Sequence, residues 1–85
     1  MPTPLLLCPT GQRAHELRQH LFLSQAEFWS RIGVTQSGGS RYEKGRVMPK
    51  QVQFLLHLAY AIEEDAAELL EWLRNGQDAQ ERRSK

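Results

Sequence analysis

A single cysteine, Cys8, stands among 85 residues, so no disulfide can close within the chain. That fits a reducing, cytoplasmic setting. Long apolar runs are missing as well; none approaches the roughly 20 residues of a membrane-spanning helix. Leu5-Leu6-Leu7-Cys8 is too short for the apolar region of a signal peptide and has no basic segment before it. The expectation is a soluble, cytoplasmic protein. No stretch alternates apolar and polar residues in the manner of a half-buried strand. No glycine-rich phosphate loop or nucleophile motif occurs, which speaks against an enzyme. His15, His20, His57 and Cys8 match no zinc spacing and fall on different predicted elements, so neither a metal nor a cofactor is expected. Repeats and low-complexity segments are absent. A chain this short buries only about 60–65% of its unfolded surface, which allows one small core and disfavours a deep substrate cavity.

What is present is unevenly distributed. Residues 1–62 carry seven bases (Arg13, Arg18, Arg31, Arg41, Lys44, Arg46, Lys50) against three acids (Glu16, Glu27, Glu43), a net +4. Residues 63–85 carry four bases against seven acids, a net −3. A mildly basic body can meet a polyanion, while the acidic end suits solvent or a protein; chance scatter over a small surface is the other reading.

Helical signals run from end to end. After an irregular N-terminal arm over 1–10, rich in proline, Ala14, Leu17 and Leu21 mark one face of a first helix over 11–21, with Thr10 as its cap. Ser24 and Glu27 form a capping box opening a second helix through Ile32, and Gly33 ends it. After Val34, Thr35 caps a third helix to Lys44, stopped by Gly45. Two short helices joined so tightly must cross steeply. Pro49 suits the first turn of a fourth helix, with Val52, Leu55, Leu56, Ala59 and Ile62 as its buried stripe. Asp65 can cap a fifth, with Ala66, Leu69, Leu70 and Leu73 on one face, ended by Gly76. Residues 77–85 read as a polar, disordered tail, which leaves 11–76 as the folded domain.

The run LSQAEFWSRIGVTQSGGSRYEKGR resembles the helix-turn-helix of the Xre family, the phage-repressor and Cro-like regulators. The resemblance rests on Leu23-Ser24-Gln25 with Glu27, on Gly33-Val34-Thr35, and on Arg41-Tyr42-Glu43 with Gly45 and a following proline. It extends into PKQVQFLLHLAYAI, covering roughly 13–62. It implies an all-α, five-helix, phage-repressor-like DNA-binding domain whose helices 2 and 3 form the motif, with helix 3 in the major groove of double-stranded DNA. Gln36, Ser37, Ser40 and Arg41 then lie along one side of helix 3. Gln36 can pair with adenine and Arg41 with guanine, and the serines can reach a base edge or a phosphate. Plain polar surface at a helix start, or a solvated charge, is the alternative. Phosphate contacts are expected from Gln25, at the start of helix 2, and from Lys44, Arg46 and Lys50 around the loop after helix 3, unless those cations merely solubilise. Six to ten such contacts in a dimer make affinity fall steeply with salt. The family often pairs an arginine in helix 1 with the glutamate late in helix 3; Arg18 and Glu43 occupy those positions and are expected to form a structural pair rather than two separate surface charges.

Related sequences usually place a small alanine at the fifth position of helix 2, facing a bulky aliphatic residue in the middle of helix 3. Here those positions hold Trp29 and Gly39. An indole fits only where the facing helix gives up volume, so Gly39 is expected to receive Trp29. Gly38 is read as lying nearer the groove, where it allows close approach to DNA or leaves helix 3 loose. Leu69, Trp72 and Leu73 supply a candidate dimer or partner surface, with Trp72 exposed; the alternative folds Trp72 back over helix 1 or the arm. Function is then a DNA-binding transcription regulator, most simply a repressor acting as a homodimer on a palindromic operator. Two alternatives are the antitoxin of a toxin–antitoxin pair, which binds both its operator and a toxin, and a module that only assembles with proteins.

Overall fold

A computed structural model describes residues 4–76; the expected tail over 77–85 lies outside the described residues. Five α-helices follow one another: α1 (Gly11–His20), α2 (Gln25–Ser30), α3 (Gln36–Glu43), α4 (Lys50–Tyr60) and α5 (Glu63–Glu71), the last running into a π-turn, Trp72–Gly76. No strand occurs among the described residues.

Local chemistry sets the first three helices. Thr10 accepts from the Arg13 amide at 3.2 Å. Ser24 and Glu27 exchange both bonds of the capping box, at 2.9 and 3.0 Å. Thr35 accepts from the Gly38 amide at 3.1 Å. Gly33 and Gly45 take φ of +80° and +117°, the left-handed backbone that lets a helix stop abruptly. At the corner between α1 and α2 that role falls to Phe22, at φ +59°. Its amide and that of Leu23 return to the carbonyls of Gln19 and Arg18, the paired bonds of a Schellman ending.

The core gathers Cys8, Ala14, Phe28, Trp29, Met48 and Leu56, with Tyr42, Val52 and Tyr60 packed around it. Phe28 stacks on Tyr60 at 4.5 Å and meets Trp29 edge-on at 5.2 Å. The irregular arm is docked rather than loose. Cys8 is fully buried, and burial, partly opposed by the charge of Arg13, pushes its thiol up to about 11, so it serves as an inert apolar group. The Leu7 amide donates to His57 Nδ1 at 2.9 Å. His57 then carries its hydrogen on Nε2 and donates to the Asp65 carbonyl at 3.1 Å, so one buried imidazole joins the arm, α4 and α5.

Several expectations are corrected at the C-terminal end. Pro49 is the cap of α4 and lies outside its first turn. α5 starts at Glu63, with Ile62 at its cap and no side-chain bond; Asp65 sits inside the first turn beside Glu63 and Glu64, where three carboxylates complement the helix dipole. Leu55 and Ile62 are exposed, and Leu21 of the α1 face is too. α5 is rotated from the expected orientation. Leu69 and Trp72, three residues apart and therefore on one face, turn inward, while Leu70 turns out to 46% exposure. Trp72 is 4% exposed and packs on Phe54 of α4 at 6.0 Å, so the exposed tryptophan expected there does not exist. Its ring lies against the apolar wall that Phe54 offers along the α4–α5 contact.

Candidate nucleic-acid interface

α2 and α3 pack against each other, and α3 is braced from behind by α1. The capped start of α3 therefore points outward. Along its free side Gln36, Ser37, Ser40, Arg41 and Lys44, together with Gln25 from the start of α2, line one open recess. All of these side chains are polar or cationic, and among the described residues no carboxylate borders the recess. The structure thus brings together the four residues expected to touch bases and two of the four expected at phosphates. Arg46 is exposed but lies across the loop, bordering a second recess with Thr10, Gly11 and Val47. Lys50 is exposed at the first residue of α4, bordering neither.

Behind that face lies Glu43, whose side chain is 4% exposed. Arg18 meets it with two bonds, Nε to Oε2 at 2.8 Å and Nη2 to Oε1 at 2.9 Å. His15 Nδ1 sits 2.7 Å from Oε1. The Trp29 indole N–H donates to Oε2 at 2.8 Å, and the Gln25 amide donates to Oε1 at 3.2 Å. Burial alone would raise the pKa of this carboxyl; the bonds from Arg18, His15, Trp29 and Gln25 outweigh burial and hold it at about 2. The same pairing raises Arg18, against the opposing effect of its own burial. Arg18 also donates to the Leu23 carbonyl at 3.0 Å, tying the corner before α2 into the cluster. A pair joining α1 to α3 is thus the centre of a five-residue network.

His15 and Trp29 were not among the residues predicted to meet Glu43. A signal for His15 exists: it lies three residues before Arg18, on the same helical face. Gln25 also joins the cluster, which was not expected: one hydrogen of its amide goes to Glu43, and the other is left for a phosphate. Its position at the rim of the recess puts it between the buried cluster and the open face.

The two glycines of α3 do different things. A Cβ on Gly39 would fall inside the Trp29 indole, against Cγ, Cδ1 and Cδ2. Gly39 is buried and receives the ring, whose N–H then reaches Glu43 one turn further along. A Cβ on Gly38 would instead meet Val34 Cγ1 at 3.3 Å and Thr35 Oγ1 at 3.4 Å. Gly38 faces the turn, not the groove side, so the reading of it as a point of close DNA approach is corrected. A third close contact went unpredicted. A Cβ on Gly11 would collide with the Tyr42 carbonyl, so α1 crosses the end of α3 at backbone distance there. Gly11 and Ala14, small and three residues apart on one face, are the signal for that crossing.

Leu69 and Trp72 of the expected partner surface are buried, and Leu73 is half-buried. Among the described residues no cluster of three or more metal-binding side chains occurs, and no helix is long and apolar enough to cross a membrane. The family model for the RsaL-like HTH domain matches residues 15–59, more than half of the chain. That span runs from His15 in α1 through most of α4 and contains every residue of the recess. No curated protein and no solved structure matches the chain.

Proposed function

The chain belongs to the RsaL-like HTH domain family, a helix-turn-helix DNA-binding regulator, and from that premise we propose a cytoplasmic repressor that acts as a homodimer on a palindromic operator in double-stranded DNA. The resemblance to the Xre regulators in the same motif points the same way. One observation carries the reading: the free side of α3 presents Gln36, Ser37, Ser40, Arg41 and Lys44 around one open recess with no acid at its rim among the described residues. In the major groove Gln36 can pair bidentately with N6 and N7 of an adenine and Arg41 with O6 and N7 of a guanine, each worth about 1–3 kcal/mol of discrimination. The serines and Lys44 serve base edges and phosphates, while Arg46 and Lys50 add charge after α3. The cluster at Glu43 holds α3 against α1 and α2, so the reading side chains are carried on a fixed helix.

The test is binding to the DNA upstream of its own gene across a salt series. Affinity should fall linearly on a logarithmic salt scale, with Arg41→Ala losing preference for its best site and Lys44→Ala weakening all sequences alike while flattening the slope by about one. Binding indifferent to both substitutions sinks the proposal. The antitoxin reading uses the same surface and adds a protein partner. It draws on Leu5 and Phe22, which are 95% and 92% exposed, and requires a toxic reading frame beside the gene.

A further inference from the structure

Glu43 Oε1 meets three groups, and His15 comes nearest, with Nδ1 at 2.7 Å. Arg18 Nη2 donates to the same oxygen at 2.9 Å and the Gln25 amide at 3.2 Å. An ionised carboxylate only accepts, so the hydrogen between His15 and Glu43 is assigned to Nδ1. In the neutral ring the other nitrogen, Nε2, then keeps a bare lone pair. The ring is half-buried, Nδ1 faces inward to Glu43, and among the described residues nothing bonds Nε2 on its far side. His15 and Gln25 reach one and the same oxygen atom, so the imidazole stands beside the amide that borders the recess on α3. Through this shared oxygen α1 sets a titratable group next to the start of α2, where a DNA phosphate is expected.

Two opposite charges meet the ring: Glu43 from α3, and Arg18 of its own helix, with Nη2 at 3.3 Å from Nδ1. α2 brings only neutral groups to the cluster, the Gln25 amide and the Trp29 indole; its one acid, Glu27, is turned back onto the Ser24 amide. Glu16, the next residue of α1, pairs with Arg13. Glu43 stays ionised across the range in which histidines titrate. A phosphate on the open side adds a second negative charge, which favours the protonated ring. A phosphate oxygen is repelled by the bare Nε2 lone pair and gains a charge-assisted hydrogen bond from an Nε2–H. We propose that His15 is a proton-linked DNA contact, which takes a proton from water onto Nε2 as the duplex seats and donates that hydrogen to the phosphate lying against Gln25. The bond from Nδ1 to Glu43 fixes the ring so that Nε2 stays turned outward. This inference rests on the reading of the α3 face as a DNA interface, and it makes affinity rise as pH falls.

The experiment is fluorescence anisotropy of the full chain on duplex DNA from upstream of its own gene, with one salt series at pH 8 and another at pH 6, and circular dichroism to verify that each variant folds. At equal salt, wild type should bind about tenfold more tightly per protomer at pH 6. Its logarithmic salt slope should also be steeper there by about one per protomer, from the counterion that the new phosphate contact displaces. His15→Asn keeps a donor where Nδ1 stood and has no Nε2; it should lose both changes. His15→Lys is charged at either pH and should show the steeper slope at both. His20→Gln, at the exposed end of α1, should keep the wild-type profile. Independently of any variant, the His15 ring of wild type, followed by NMR, should titrate at higher pH in the complex than in the free protein. A His15→Asn protein that keeps both changes, tightening at pH 6 without a steeper slope, or a ring titration that DNA does not move each overturn the proposal. Salt-dependent binding that is the same at both pH values removes this contact and leaves the DNA reading; no salt-dependent binding to any duplex at either pH removes the DNA reading itself.

Discussion

At Glu43, burial and hydrogen bonding pull in opposite directions, and hydrogen bonding wins. The carboxyl is ordinarily near 4.5 and sits at about 2 in the fold. The ionised form is therefore the one the fold stabilises. Its contribution is complete above about pH 4.5 and is lost as pH falls towards about 2. Urea unfolding at stepped pH should show wild type losing stability over that window. Glu43→Gln should be less stable at pH 7, by on the order of 3 kcal/mol, and should lack most of that acid step. A variant that keeps the same acid step would mean that other carboxylates carry it. Phe22 makes the opposite case, a residue held where it does not fit. Its left-handed backbone suits glycine, and its ring is 92% exposed. Phe22→Gly should raise stability by roughly 0.5–1 kcal/mol in thermal unfolding, because the strain relieved exceeds the entropy added to the unfolded chain. A loss of stability would show that the ring has a contact worth more than its strain.

Between elements, the helix-turn-helix was readable because its signals are local. Ser24 with Glu27, Gly33, Thr35 and Gly45 each specify a cap or a stop within a few residues, and the structure has all of them. The exchange of Trp29 and Gly39 was readable for another reason: the two positions are linked through one contact, so an outsize residue at one demands a deletion at the other. That coupling is measurable. Gly39→Ile should cost about 3 kcal/mol by overpacking. Adding Trp29→Ala should recover about 1–3 kcal/mol relative to additivity, and not all of the loss, since the indole N–H to Glu43 goes with the ring. Simple additivity would contradict the exchange. The orientation of α5 was not readable. Leu69 with Leu70 and Leu73, or Leu69 with Trp72, are neighbouring stripes on one helix, and the choice between them is made by Phe54 on α4. The network at Glu43 was half readable: the pair with Arg18 follows from family position, whereas the bonds from Trp29 and Gln25 depend on how α2 lies against the end of α3.

Across the whole molecule, the parts divide by task. The free side of α3, with the start of α2, offers polar and cationic groups to one open recess. The Glu43 network fixes that helix from behind, the core of Phe28, Trp29 and Leu56 joins the motif to α4, and α5 packs Trp72 on Phe54 of α4. The central claim is that the recess on α3 reads base sequence in duplex DNA, and selection of bound duplexes from a random pool at about 0.15 M salt tests it most directly. A twofold-symmetric consensus is predicted, with one position in each half-site losing its preference when the selection is repeated with Arg41→Ala. Recovery of no consensus from wild type, or of the same consensus from Arg41→Ala, would contradict it.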